Sequence, residues 1–368
     1  MTGARPLKAV ALGGGHGLHA TLSALRRLTD DITAIVVVAD DGGSSGRIRR
    51  ELDILPLGDL RMALGALAGQ ENAGPENTLW QRLFEHRYGG HGALAGHAVG
   101  NLVLAGLLEV LDDPVAALDQ ACHLLGVTGR VLPMSPQPVD IEADVTGIRG
   151  PGGGDQGRDV AHRIRGQVAV ATTPGKVQQV RLDPRRPKAC PEACAALREA
   201  DLVTLGPGSW FSSVLPHLLV PEQFAALSES EARKVLVLNL APQPGETAGF
   251  SPEQHLEVLA AHAPRLRLDV VVADTAAVPE PDRLRRGAEA FGADTLLTTV
   301  GTPDGSARHD PDALAEALAD AAHLRAPHRD GAAPGPGTNG VAVPGADPAR
   351  DGAREPARPH QEEDRRWP

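Results

Sequence analysis

The chain predicts an α/β fold: a Rossmann-like, mostly parallel sheet flanked by helices, with a small β-rich excursion. Three observations predict it. Two short apolar runs, Ala9-Val10-Ala11-Leu12 and Ile35-Val36-Val37-Val38-Ala39, stop abruptly at glycines or carboxylates, as buried parallel strands feeding tight loops do. The first loop, Gly13-Gly14-Gly15-His16-Gly17, leads into an amphipathic helix, and Gly15-x-Gly17-x-x-Ala20 fits the dinucleotide fingerprint. Asp40 follows about 20 residues later, where a ribose-binding acid belongs.

The elements follow in order. Helical spacing covers residues 17–28, and a strand covers 33–38. Asp59 is placed to cap a helix running to residue 68, and further helices are expected over 77–86, 96–110 and 115–125. A strand-rich stretch over 130–182 then interrupts the alternation, with strands at 130–133, 139–146, 167–171 and 177–182 around a Gly-rich loop at 150–157. Alternation resumes with strands at 202–205, 235–238, 268–272 and 295–298 and helices at 216–227, 252–261 and 311–322. Residues 1–325 read as one domain. Residues 326–368 are rich in Pro, Gly, Ala, Arg and Asp with no apolar period, and a disordered tail is expected there.

Composition removes several classes. The net charge is −11 and the aromatic content 2%, which argues against nucleic-acid binding by charge or by base stacking. The three cysteines, Cys122, Cys190 and Cys194, lack the paired spacing of a zinc site and read as reduced thiols. No apolar run is long enough to span a membrane, and Met1 to Lys8 carries no signal-peptide core, so a cytoplasmic protein is expected. His-Glu-x-x-His and the P-loop pattern are absent, and Ser209 and Ser213 lack a nucleophile elbow.

The residues that carry chemistry suit a nucleotide diphosphate-sugar. Gly13, Gly14, Gly15, His16 and Gly17 form one loop at a strand end, and Gly206, Pro207, Gly208 and Ser209 a second; both offer backbone N–H groups to phosphate. Asp40 and Asp41 can accept from ribose hydroxyls, or hold Mg²⁺ through oxygen ligands and water. The stretch after them, with Gly43, Ser44 and Arg47, reads as a second anion-binding loop of amides, hydroxyls and a guanidinium. Asp59 is a helix cap; Arg61 either reaches phosphate or lies in solvent; His97 either is internally satisfied or contacts ligand. Asn101 and Asn239 can pair with an amide or a pyrimidine edge, and Arg308 with His309 reads as a phosphate clamp.

Several of these segments together resemble a known family. Leu12-Gly13-Gly14-Gly15-His16-Gly17-Leu18, Val38-Ala39-Asp40-Asp41-Gly42-Gly43-Ser44-Ser45-Gly46-Arg47 and Pro56-x-Gly58-Asp59-x-Arg61 are similar to the bacterial gluconeogenesis-factor (YvcK-like) proteins, a branch of the CofD-like superfamily. Gly96-His97-x-x-Gly100-Asn101, the segment from Gly206 through Ser209 and Ser213 to Pro216, Asn239, Gly245-Glu246-Thr247 and Arg308-His309-Asp310 extend the resemblance over residues 8–324. The chain departs from the pattern at His16 and Pro311, where the family usually carries hydroxyl residues, and at 282–287, where some members have a tyrosine.

The resemblance implies a Rossmann-like, cytoplasmic regulator that binds UDP-sugars, notably UDP-N-acetylglucosamine. It would be needed for cell shape and for growth on gluconeogenic carbon sources. The expected partners are that ligand, an envelope-synthesis protein and further copies of the chain. The alternative is a CofD-type transferase, passing a phospholactyl group from a nucleotide-linked donor to a deazaflavin. Trp210 is the one aromatic expected at the site edge, which favours the regulator over a deazaflavin slot. A nicotinamide-dependent oxidoreductase is the weakest reading, since it leaves the Gly-Gly-Ser-Ser-Gly-Arg stretch unexplained.

Overall fold

The main sheet has seven strands, all parallel, in the order β10-β9-β8-β7-β1-β2-β3. They are β1 (Ala9–Gly13), β2 (Ile32–Val36), β3 (Arg130–Pro133), β7 (Leu202–Leu205), β8 (Arg233–Val237), β9 (Val270–Asp274) and β10 (Asp294–Thr298). The computed structural model describes residues 5–68, 75–148 and 161–323. The expected tail and the Gly-rich 150–157 loop lie outside these. Every residue of β1, β7 and β9 is buried, which explains why these strands read as unbroken apolar runs. Strand order reverses between β1 and β7, so the chain has a topological switch point there, and ligands of open α/β sheets bind at such a point.

A second sheet, antiparallel, has the order β5-β4-β6, from β4 (Asp140–Thr146), β5 (His162–Arg165) and β6 (Lys176–Asp183). This is the expected excursion with two corrections. Residues 130–133 belong to the main sheet, paired with β2. Residues 167–171, expected as a strand, form the short helix α7 (Gln167–Ala171), while β5 was not anticipated.

The helices complete the layers: α1 (Gly15–Leu25), α2 (Gly43–Leu52), α3 (Gly58–Leu67), α4 (Pro75–Glu85), α5 (Val99–Leu111), α6 (Pro114–Leu125), α8 (Pro191–Glu199), α9 (Leu215–Leu218), α10 (Pro221–Glu229), α11 (Pro252–His262), α12 (Pro281–Glu289) and α13 (Pro311–His323). Local signals set several of them. Asp113 accepts from the amides of Val115 and Ala116, Pro114 opens α6, and Gly126 closes it in the left-handed conformation. Ser251 and Gln254 form a capping box on α11. The expected helix over 216–227 is instead a π-turn (Trp210–Val214) followed by α9 and α10, and α8 and α12 were not anticipated. The Gly-Gly-Ser-Ser-Gly-Arg stretch is not a loop: Gly43 starts α2. Gly46 lets that turn close, since a Cβ there would meet the Asp41 carbonyl oxygen at 1.9 Å. Cys122, Cys190 and Cys194 are buried free thiols, and burial raises the pKa of each.

Candidate functional site

The two glycine loops at the switch point touch through their backbones. A Cβ on Gly17 would lie 2.1 Å from the Pro207 carbonyl oxygen, so only glycine permits this approach. Side chains from the layers around the loops hold the contact. The Thr21 hydroxyl donates to the Gly206 carbonyl at 2.9 Å. The Asn239 amide accepts from the Gly208 N–H and donates to the Gly208 carbonyl, both at 2.8 Å. Asn239, expected at a pyrimidine edge, thus spends both ends of its amide on the second loop.

Beneath the first loop sits fully buried His217, whose Nε2 lies 3.2 Å from the Gly13 carbonyl. Gln223 Nε2 approaches Nδ1 at 3.1 Å, which assigns the remaining ring proton to Nε2 and makes it the donor to Gly13. Burial pulls the His217 pKa down to about 4, so the ring stays neutral at physiological pH.

On the β8 side the loops open into a cleft of about 530 Å³. Its walls include His16, His19, Asn239, Gln243, Arg308 and His309. The His309 ring donates to the Leu238 carbonyl, burial lowers its pKa, and its Nε2 is buried without a hydrogen-bond partner. Arg308 is exposed and braced within its own turn, 3.3 Å from Asp304 and 3.2 Å from Ser306.

The remaining sequence candidates lie on the other flank of the first loop. A Cβ on Gly14 would meet Asp59 Oδ2 at 2.6 Å and Ser213 Oγ at 3.2 Å, so both side chains press on the loop. Asp59, expected as a cap, is a first-turn residue of α3 whose carboxylate accepts from the Gly15 N–H. Burial, and then the nearby Asp40 carboxylate, push Asp59 up to about 7; burial raises Asp40 as well. Ser44 Oγ lies 2.9 Å from His97 Nδ1 and accepts from Asn101 Nδ2 at 3.0 Å. Asn101 Oδ1 remains buried and unpartnered. Ser45 Oγ accepts from the Gly58 N–H at 3.1 Å, tying α2 to α3. Gly43, at φ 50°, is exposed at the start of α2. Arg47 reaches the Ala95 carbonyl at 2.7 Å, and Arg61 is buried rather than solvated.

Asp41 turns away from Asp40. Its carboxylate accepts from the Val168 N–H at 2.9 Å and so caps α7, a helix whose own cap position is Gly166. Asp41→Ala is expected to cost about 1 kcal/mol, the usual value of a helix cap, while Asp41→Asn keeps an acceptor and loses little. Urea unfolding of both variants checks this; equal losses would mean that the cap contributes nothing specific.

Sequence reading missed three positions that shape the site. His217 and Gln223 carry no motif of their own, and only the fold brings them under Gly13. Glu246 is buried and accepts from Ser209 Oγ at 2.5 Å and Ser212 Oγ at 3.0 Å, fixing the turn after the second loop. Its place in Gly245-Glu246-Thr247 was the available signal. Among the described residues no group of three or more His, Cys, Asp or Glu side chains could hold a metal ion, and no helix is long and apolar enough to cross a membrane.

With this geometry in view, the comparisons are consistent. Residues 9–299 match the family model described as 2-phospho-L-lactate transferase CofD. A Mycobacterium tuberculosis protein named "Putative gluconeogenesis factor" is 56% identical over 312 residues, covering 84% of this chain and 88% of that one. A "Gluconeogenesis factor" of Listeria monocytogenes is 33% identical over 322 residues, covering 84% of this chain and 94% of that one. A crystal structure of a UPF0052 family member from Bacillus halodurans superposes with a TM-score of 0.74 at 32% identity, covering 86% of this chain and all of that one. The chain therefore belongs to the gluconeogenesis-factor (YvcK-like) branch of the CofD family.

Proposed function

We propose that the switch-point cleft binds a UDP-sugar, UDP-N-acetylglucosamine, and that the chain is a cytoplasmic regulator. Occupancy would be read by a partner in envelope synthesis, linking the ligand to cell shape and to growth on gluconeogenic carbon. One observation carries this reading: two glycine loops in backbone contact, with Arg308 and His309 on the wall of the cleft beside them. A diphosphate needs amide donors, and the start of α1 faces the cleft with His16 and Gly17, while the Gly15 N–H is taken by Asp59 on the other flank. A guanidinium and an imidazole suit its outer oxygens.

A transferase of the CofD kind is a second reading, favoured by two carboxylates near the first loop, Asp59 against Gly14 and Asp40 close enough to raise the Asp59 pKa. The Mg²⁺ expected at Asp40 and Asp41 fits Asp40 with Asp59 better, because Asp41 is occupied by α7. Two carboxylates together with ligand phosphate are an ordinary Mg²⁺ environment. Bound there, the ion would neutralise phosphate charge.

Calorimetric titration with UDP-N-acetylglucosamine, uridine, NAD and a deazaflavin separates these readings. Arg308→Ala is expected to weaken UDP-sugar binding roughly ten- to a hundredfold and uridine binding little, since a nucleoside offers a guanidinium no phosphate. The comparison belongs near pH 8, where His309 is neutral and cannot substitute. Equal losses for both ligands would place Arg308 away from the diphosphate. No binding of any UDP-sugar by the wild type would end the proposal.

A further inference from the structure

The wall of the cleft carries two side-chain acceptors, on His309 and Gln243, that a phosphate cannot use. Gly301 and His309 form an antiparallel bridge, fixed by bonds from the Thr302 N–H to the Arg308 carbonyl (2.9 Å) and from the Asp310 N–H to the Val300 carbonyl (2.8 Å). Across such a bridge successive side chains point to opposite faces. Arg308 stands exposed, while His309 turns in to the Leu238 carbonyl just past β8. The Nε2 of His309 is buried without a hydrogen-bond partner among the described residues, so the Leu238 bond is made from Nδ1 and places the proton there. Burial lowers the His309 pKa, and near pH 8 the neutral ring presents Nε2 as a lone-pair acceptor. Only a protonated ring would offer Nε2 to phosphate as a donor.

Gln243 lies on the loop after β8, and fully buried Thr247 holds its backbone from both sides. The Gln243 N–H donates to Thr247 Oγ1 at 2.8 Å, and the Thr247 N–H donates to the Gln243 carbonyl at 3.0 Å. Gly245 packs so closely on Ala171 that a Cβ would meet its carbonyl oxygen at 2.1 Å, and Glu246 accepts from Ser209 and Ser212. Braced at these three points, the loop holds the Gln243 side-chain oxygen buried, again without a partner among the described residues. Buried polar atoms in native proteins are nearly all hydrogen-bonded, so two open acceptors on one cleft wall call for donors on what enters it. We infer that His309 and Gln243 are specificity-determining residues, accepting hydrogen bonds from neutral O–H or N–H groups of the ligand, and that the diphosphate is left to Arg308 and the start of α1. The inference rests on the cleft being the UDP-sugar site. Such a ligand carries neutral donors in three places: the hexose, the ribose hydroxyls and the N3–H of uracil, where cytosine has an acceptor instead.

Calorimetry at pH 8 with UDP-N-acetylglucosamine, UDP, CDP and inorganic pyrophosphate, on the wild type and two variants of the full chain, tests this. His309→Asn places an amide nitrogen where Nδ1 stood, so it keeps the donor to Leu238 and removes Nε2. Gln243→Leu removes the other acceptor at similar size. Each variant is expected to bind UDP-N-acetylglucosamine at least about fivefold more weakly and pyrophosphate as the wild type does. Gln243→Leu is expected to melt no lower than the wild type, because the oxygen it loses has no partner to lose with it. A lower melting temperature would assign Gln243 to the scaffold instead. The ligands also locate the donor: a loss for both uridine ligands but not CDP puts it on uracil, a loss for the UDP-sugar alone on the hexose, and a loss for all three nucleotides on the ribose. An equal loss for pyrophosphate would put these side chains at the diphosphate and overturn the inference. A wild type that binds, with either variant matching its affinity for the UDP-sugar, overturns this inference alone, whereas a wild type that binds no UDP-sugar ends the underlying reading with it.

Discussion

Gly17→Ala is expected to abolish UDP-sugar binding and to destabilise the fold by at least about 3 kcal/mol, the upper range for overpacked backbone contacts. Alanine inside a helix ordinarily gains about 1 kcal/mol over glycine, and Gly17 lies in α1. The clash outweighs that gain. The Cβ would sit 2.1 Å from the Pro207 carbonyl oxygen and 2.7 Å from the Gly208 Cα, and backbone on both sides cannot swing away as a side chain can. The two loops must separate, which pulls against the Asn239 and Thr21 bonds that fix the second loop. Chemical denaturation and calorimetry on the purified variant read both effects. A variant as stable as the wild type, with an unchanged dissociation constant, would show that the loops are not in obligatory contact.

The second large effect is a pH dependence centred on Asp59. In the folded chain this carboxyl holds its proton up to about pH 7, against 3.8 for an ordinary aspartate. A raised folded-state pKa means that the folded chain binds the proton more tightly than the unfolded one. Its contribution to stability is therefore complete below about pH 4, declines as pH rises from 4 to 7, and stays lost above. The span corresponds to at most about 4 kcal/mol. Asp59→Asn keeps the shape and an acceptor for the Gly15 N–H but cannot ionise. It is expected to match the wild type near pH 4.5 and to melt several degrees higher at pH 8. A constant difference in melting temperature at the two pH values would remove Asp59 from this role. Millimolar Mg²⁺ at pH 8 should narrow the gap by stabilising the wild type alone, as expected of an ion shared by Asp40 and Asp59.

What the sequence made legible follows from where the signals lie. The main strands were readable because burial on both faces leaves no polar alternation in them, as in β1 and β9. Helices α6 and α11 were readable because their caps are local. Helix α7 was read as a strand for the opposite reason. Its Val-Ala-Val core carries β propensity, and the carboxylate that caps it, Asp41, lies 127 residues away. The site behaves in the same way. Gly13 to Gly17 and Gly206 to Ser209 were identifiable from glycine spacing, and their meeting follows from the strand order. The division of the other candidates was hidden. Ser44, His97 and Asn101 bond to one another across more than 50 residues, so which of them is committed inside the protein cannot be read along the chain.

The pairing of β1 with β7 has a consequence for how the polypeptide is made. Ala9 lies beside Leu202, about 190 residues later, and all seven main strands are parallel. During synthesis at about 5–20 residues per second, β1 waits tens of seconds for that neighbour, with only β2 beside it earlier and β3 adding beyond β2. Until β7 emerges, one edge of β1 offers unpaired amides and carbonyls from an apolar strand, the kind of edge that recruits other chains. The nascent protein is therefore most exposed to misassociation until Leu202–Leu205, past the middle of the chain, has left the ribosome, and slower translation through the β4–β6 segment would lengthen that interval.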